Sequence, residues 1–217
     1  MRRAGLAEFL GALLLTAAVV GSGIMGERLA AGNAAVALIA NTAATVAALA
    51  TLIATFGPIS GAHFNPVVTL TAHWQRQLPA GRAVAYVALQ IAGCCVGAML
   101  ANVMFELPAI QASTHVRTGG AQWLSELIAT AGLIFVAFSA PSVSAAAWRV
   151  PAWIGAAYWF TASTSFANPA ITLGRALTDS FAGIRPADAP GFIAAQVAGG
   201  MLGALLLRIF ADRRVPA

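Results

Sequence analysis

The chain has 217 residues, of which 59% are hydrophobic and 9% charged; a soluble domain carries about 25% charged residues, so this is an integral membrane protein with no room for a soluble domain. The formal net charge is +5, and every cation is an arginine. The arginines sit scattered at the ends of apolar segments and share no face, which excludes a nucleic-acid-binding surface.

At about 20 apolar residues per crossing, the first predicted span covers residues 6–25. Its length and the internal Glu8 argue against a cleaved leader, despite Arg2 and Arg3 ahead of it. The second span covers 34–56 and is followed by Gly61-Ala62-His63-Phe64-Asn65-Pro66-Val67. Asn65 suits a helix cap and Pro66 the first helical position. The segment they open, 66–74, is too short to cross and is predicted to be a re-entrant half-helix. The third span, 83–105, holds the adjacent Cys94 and Cys95, which read as small packing residues, and Gly93 with Gly97, whose spacing lets helices approach closely. Turn residues fill 107–120. Spans at 123–140 and 152–164 follow, then a second box, Ser165-Phe166-Ala167-Asn168-Pro169-Ala170, opening a second half-helix at 169–177. After the turn-rich 181–190, the sixth span covers 192–210.

These landmarks recur in order. Ala7-Glu8-Phe9-Leu10-Gly11 is echoed by Ser125-Glu126-Leu127-Ile128-Ala129, Asn65-Pro66-Val67-Val68-Thr69-Leu70 by Asn168-Pro169-Ala170-Ile171-Thr172-Leu173, and Gln90 with Gly93 by Gln196 with Gly199. Each half has three spans, so the halves insert with opposite orientations. The expected fold is all-α: six transmembrane helices and two re-entrant half-helices in a single domain, 1–217, with inverted repeats at about 1–110 and 118–217. In that arrangement Arg2, Arg3, Arg76, Arg82, Arg149, Arg208, Arg213 and Arg214 fall on one side, and Arg28, Arg117, Arg175 and Arg185 on the other. The excess of positive charge places both termini in the cytoplasm.

A helix that starts inside a membrane aims unsatisfied N–H groups at whatever lies ahead of it, with about half a positive charge. Two such starts, one per half, predict a pore near the midplane. Asn65 and Asn168 supply amide donors there, and the dipoles repel cations. The preceding loops, 58–64 and 161–167, offer backbone carbonyls as a polar stripe.

With these residues in view, the chain resembles the major intrinsic protein family, the aquaporins and aquaglyceroporins, over nearly its whole length. The likeness rests on Ala7-Glu8-Phe9, Ser60 to Val67, Tyr86 with Gln90 and Gly93, Glu126 with Thr130, Asn168-Pro169-Ala170, and Gln196 with Gly199. It implies an aquaporin-like bundle, a homotetramer with one pore per subunit, and a central constriction at Asn65, Pro66, Val67, Asn168, Pro169 and Ala170. A carboxylate at membrane depth costs roughly 2.5–3.5 kcal/mol and requires partners. The resemblance assigns that role to Glu8 and Glu126, bracing the two loops, and gives His63 a lumen-lining or bracing place. His73 and His115 read as solvated. The histidines and cysteines lack metal-ligand spacing, so no metal and no cofactor is expected.

The chain departs from the family at its outer mouth. Most members have Arg directly after the second box; here Ile171 stands there, and the first box ends in Val67. Carrying the family's constriction over by its offsets gives Thr45, Ala156, Ser165 and Ile171 as the selectivity filter, which implies a wide, weakly polar opening. Arg175, one turn beyond Ile171, is a candidate for restoring charge to the outer vestibule; its competing role is a surface ion pair with Asp179. The stretch 171–184 resembles a bacterial branch associated with arsenite and methylated arsenicals, which implies a bacterial inner (cytoplasmic) membrane protein. The function expected is therefore a passive channel for small uncharged solutes (arsenite, methylated arsenicals or glycerol-like molecules) as well as water, with the lipid bilayer and further subunits as partners. The alternatives are a coupled secondary transporter and a water-selective aquaporin. An enzyme is not expected, because Ser165 has no local partner histidine.

Overall fold

A computed structural model describes residues 2–211. Eight α-helices run in chain order: α1 Arg2–Leu29, α2 Ala34–Ser60, α3 Pro66–Trp74, α4 Ala80–Met104, α5 Gly120–Phe138, α6 Val143–Phe160, α7 Pro169–Arg175 and α8 Ala189–Ala211, the last preceded by a 3-10 turn at Pro186–Asp188. No strand occurs among the described residues. Five helices, α1, α2, α4, α5 and α8, are long and apolar enough to cross a membrane. The sixth long helix, α6, falls short of that apolarity over its 18 residues and carries Arg149 and Pro151. The protein is a multi-pass, all-helical membrane protein, and α3 and α7 are the two short helices between its spans.

Local chemistry sets the boundaries. Asn33 caps α2, its Oδ1 accepting from the N–H groups of Ala35 and Val36 at 3.0 and 3.4 Å. The helix continues four residues beyond the predicted end at 56, through Gly57 and Pro58. It stops where Gly61 turns left-handed at φ 92° and returns its N–H to Gly57 at 3.0 Å. The fifth span differs most from expectation. Residues 152–164 were the predicted limits, but Ser142 caps a helix that starts at Val143, its Oγ accepting from the Ala145 N–H at 3.1 Å. Pro151 sits inside that helix rather than before it. Its far end is Phe160, after which Thr161 folds its hydroxyl back to the Ala157 carbonyl at 2.6 Å. α7 ends at Arg175, two residues before the predicted 177, because the Leu177 N–H turns to the Gly174 carbonyl at 3.0 Å in a tightened last turn.

Packing follows the small residues. α1 lies against α4 and α2, α5 against α8 and α6, and α2 against α6. A Cβ on Gly97 of α4 would strike the Leu13 carbonyl of α1, and one on Gly199 of α8 would strike the Leu127 carbonyl of α5. Backbones therefore meet directly at both crossings. Gly199→Val is expected to lower the thermal midpoint by roughly 2–12 °C, the range for about 1–3 kcal/mol of overpacking. Gly81→Ala, where nothing lies within 4 Å, should leave it unchanged or slightly raised. Thermal unfolding in detergent followed by size-exclusion fluorescence measures both.

Candidate functional site

The two half-helices begin head to head. Asn65 accepts the Val67 N–H on its Oδ1 at 2.9 Å, and its Nδ2 donates to the Ala167 carbonyl at 2.7 Å. Asn168 accepts from the N–H groups of Ala170 and Ile171 at 3.0 and 3.2 Å, and its Nδ2 donates to the Phe64 carbonyl at 2.8 Å. Each asparagine thus caps its own half-helix and ties down the loop leading to the other. An amide has two N–H donors, so one per asparagine is left, and both side chains line a cavity of about 360 Å³.

The loops ahead of the boxes carry unusual backbone. Ala62, Phe64, Ser165 and Ala167 have φ of 50, 50, 49 and 48°, left-handed values at matching positions before Asn65 and Asn168. Each such non-glycine residue costs of order 1–3 kcal/mol and persists only where its surroundings over-determine it. Two fully buried carboxylates do this. Glu8 accepts from Ser60 Oγ at 2.6 Å, the N–H groups of His63 and Phe64 at 3.0 and 2.8 Å, and Gln90 Nε2 at 2.7 Å. Glu126 accepts from Ser163 Oγ at 2.6 Å, the N–H groups of Phe166 and Ala167 at 2.9 and 2.8 Å, and Gln196 Nε2 at 2.6 Å. With the N–H groups turned to the carboxylates, the cavity is left to the opposite edges of the loops. His63 is half-buried, lines the cavity, and places Nδ1 3.1 Å from Thr69 Oγ1.

The cavity wall is helical stripes. α2 contributes Thr45, Leu49 and Ile53, and α6 contributes Ala146, Val150, Ile154 and Tyr158, residues four apart in each case. α1 adds Leu15 and Val19. At the end towards the N-terminus the lining includes Gln77, Phe138 and Ala140; at the other it includes Ser165, Phe166, Ile171 and Arg175. Thr45, Ser165 and Ile171 of the predicted filter are therefore brought together. Ala156 is not: it is exposed on the outer face of α6 and does not line the cavity. Two residues along a helix is a rotation of about 200°, so the stripe ending at Tyr158 leaves Ala156 facing outwards. Tyr158 takes the lining place instead, its hydroxyl 3.3 Å from Thr45 Oγ1. The Ser165 hydroxyl is buried in the wall and has no hydrogen-bond partner among the described residues.

Arg175 also differs from the surface pairing considered above. It is 2% exposed and forms no ion pair with Asp179. Its Nε donates to the Ala182 carbonyl, and its guanidinium lies 3.3 Å from the centre of the Phe166 ring. Asp179 turns outwards and accepts the N–H and hydroxyl of Thr114 at 2.8 and 3.0 Å, bonds that hold its carboxyl below the usual range. Arg117, in the segment between α4 and α5, approaches the same Phe166 ring at 5.2 Å. Burial pushes its guanidinium down to about 10. The exposed His115 nearby is held below its ordinary value, first by partial burial and then by Arg117 and Arg175. Sequence reasoning missed Tyr158, Phe166 and Arg117. The stripe from Val150 carried a signal for Tyr158; nothing local marks Arg117. Among the described residues no three His, Cys, Asp or Glu side chains converge as a metal site.

Comparison with known proteins follows the same lines. The model of the major intrinsic protein family matches residues 1–161 and 141–216. The aquaglyceroporin AqpS of Rhizobium meliloti (strain 1021) is 49% identical over 210 residues, covering 96% of this chain and 90% of that protein. The probable aquaporin TIP1-1 of Oryza sativa subsp. japonica is 30% identical over 142 residues, 63% of this chain and 56% of that one. Among solved structures, the aquaglyceroporin from Plasmodium falciparum superposes with a TM-score of 0.75 over 98% of this chain and 96% of that chain, at 20% identity.

Proposed function

This chain belongs to the major intrinsic protein family, and we propose that it is a passive channel for small uncharged solutes, with the pore running through the cavity between the half-helices. The observation that carries this reading is the pair of asparagines lining the cavity, each capping its own half-helix, tied to the loop ahead of the other, and left with one donor. A volume of about 360 Å³ is on the order of a dozen water molecules at about 30 Å³ each. A cavity of that volume has room for glycerol-sized molecules, and the relative from Rhizobium meliloti is named an aquaglyceroporin.

The outer mouth sets the solute. In this reading Thr45, Tyr158, Ser165 and Ile171 form a filter without charge at the Ile171 position, and Arg175 supplies a cation one turn further out. Hydroxyls and guanidinium N–H groups face an apolar wall of Leu49, Ile53, Val150 and Ile154, which suits a solute with hydroxyls on one side. Arsenite at neutral pH is an uncharged trihydroxide of this kind, as is glycerol. Glu8 and Glu126 are saturated by four donors each, so neither is free to cycle a proton. That favours a channel over a coupled transporter. Ser165 has no base in contact, which speaks against covalent catalysis.

The channel sits, in this proposal, in a bacterial inner membrane as a homotetramer built on inverted repeats at 1–110 and 118–217. Arg2, Arg3, Arg76, Arg82, Arg149 and Arg208 mark the cytoplasmic side, with both termini there; Arg213 and Arg214 lie outside the described residues. The test is stopped-flow light scattering on proteoliposomes with water, glycerol and arsenite. All three should permeate, at rates indifferent to imposed proton or sodium gradients. Water flux alone would overturn the wide-mouth reading, and gradient-dependent flux would overturn the passive one.

A further inference from the structure

Two guanidiniums lie buried at the outer end of the cavity, and no carboxylate among the described residues pairs with either. Arg175 is 2% exposed and Arg117 8%, and the ion pair found among the described residues is Arg185 with Asp188, at 2.7 Å. What surrounds them is a strap of chain between α7 and the 3-10 turn. Arg117 donates from Nε to the Gly183 carbonyl at 2.8 Å and from Nη2 to the Phe181 carbonyl at 3.2 Å. Arg175 donates from Nε to the carbonyl between them, that of Ala182. Three successive carbonyls are thus gripped alternately by the two arginines. Arg117 also reaches the Ser163 carbonyl at 3.4 Å, in the loop ahead of the second box, and its own N–H is held by Asp188 at 2.9 Å. Both cations lie against the Phe166 ring. Arg175 lines the cavity; Arg117 does not.

We propose that Arg117 is a positioning residue for Arg175: by fixing the 181–183 strap and the Phe166 ring, it holds the Arg175 guanidinium in the outer mouth and so controls the barrier to cations. This rests on the reading of Arg175 as the charged element of the mouth. Carbonyl dipoles and a ring face stabilise a cation without cancelling its charge, so the field of Arg175 still reaches the lumen. Its terminal nitrogens bond no protein atom among the described residues. Its place is therefore set by one carbonyl and one ring, and Arg117 grips the neighbours of the first and packs near the second. Without Arg117, the Phe181, Gly183 and Ser163 carbonyls lose their donor and the strap is free to carry Ala182 away.

The experiment measures proton influx into liposomes with a trapped pH-sensitive dye, alongside glycerol flux, for R175Q, R117Q, R117K and the double variant R117Q/R175Q. R175Q is expected to raise proton influx about tenfold, roughly what losing one charge-assisted interaction is worth. R117Q should raise it comparably. R117K should leak as well, because an ammonium on a single stem does not reproduce the fork. The double variant should leak no more than R175Q alone, since both changes remove the same placed charge. A leak in R175Q with a tight R117Q overturns the positioning role, as does full rescue by R117K or additive leaks in the double variant. A tight R175Q instead removes the charged-mouth reading on which the proposal rests, a separable failure. If R117Q does not reconstitute, F166L carries the test: it should leak, and a wild-type barrier in it would overturn the proposal.

Discussion

Ile171→Arg is expected to reduce glycerol and arsenite flux by about tenfold or more, while water flux falls much less. Ile171 is the third residue of α7 and lines the cavity beside Thr45, Tyr158 and Ser165. An arginine there extends a long, forked side chain across the opening, where the wild-type side chain ends in a methyl. The narrowing excludes the larger solutes, and a single file of water still passes. The new guanidinium also sits four residues before Arg175 on one helical face, and like charges at that spacing repel. One of the two must move off the wall and into the opening, which adds to the constriction. Ile171→Val is the complementary change and should leave or slightly raise glycerol flux. Stopped-flow permeabilities on the three proteins, normalised to reconstituted protein, decide the matter. Equal losses for water and glycerol in I171R would show that Ile171 does not set the width of the mouth.

Glu126→Ala should be among the most damaging single changes for stability. It strands the Ser163 hydroxyl, the Phe166 and Ala167 N–H groups and the Gln196 amide in a buried site. Each unsatisfied donor costs about 1–3 kcal/mol, so the total approaches the whole stability of about 5–15 kcal/mol typical of a folded protein. The left-handed turns at Ser165 and Ala167 would lose what holds them, and Asn65 would lose the Ala167 carbonyl it bonds. The expected result is aggregation during purification, or a thermal midpoint lower by at least about 10 °C. Glu8→Ala should behave alike, through Ser60, His63, Phe64 and Gln90. Glu126→Gln keeps one acceptor but sets an NH₂ group against donors, so it should fall between wild type and alanine. A near-native midpoint and normal glycerol flux in E126A would show that the loops hold their shape without the carboxylate.

The Glu8 and Glu126 networks show how far residue chemistry leads. A lone acid inside an apolar run demands donors, and loops that must turn away from helix offer them. Residue chemistry asks only for partners; it is the family resemblance that assigns the two loops to Glu8 and Glu126. Helix starts at Asn65 and Asn168 were readable from the residues themselves, since capping is local and acts within three residues. Span ends were less legible. The predicted start at 152 leaves Arg149 and Pro151 outside the span, yet a serine cap at Ser142 and packing of Val150 and Ile154 into the core carry the helix through both.

The amino-acid order by itself determined a membrane protein of repeated spans with two capped half-helices, because hydropathy, capping and turn chemistry act between near neighbours. Tertiary structure alone decided which residues line the cavity beside α7. Tyr158 displaces Ala156 because the phase of α6 is set by its packing, and an offset counted along an irregular loop does not carry that phase. Arg175 finds Phe166 and Ala182 rather than Asp179, and Arg117 joins them from a segment 58 residues earlier in the chain. Where a buried cation finds its partners depends on which chain segments the folded bundle brings together, and no spacing within one helix encodes that.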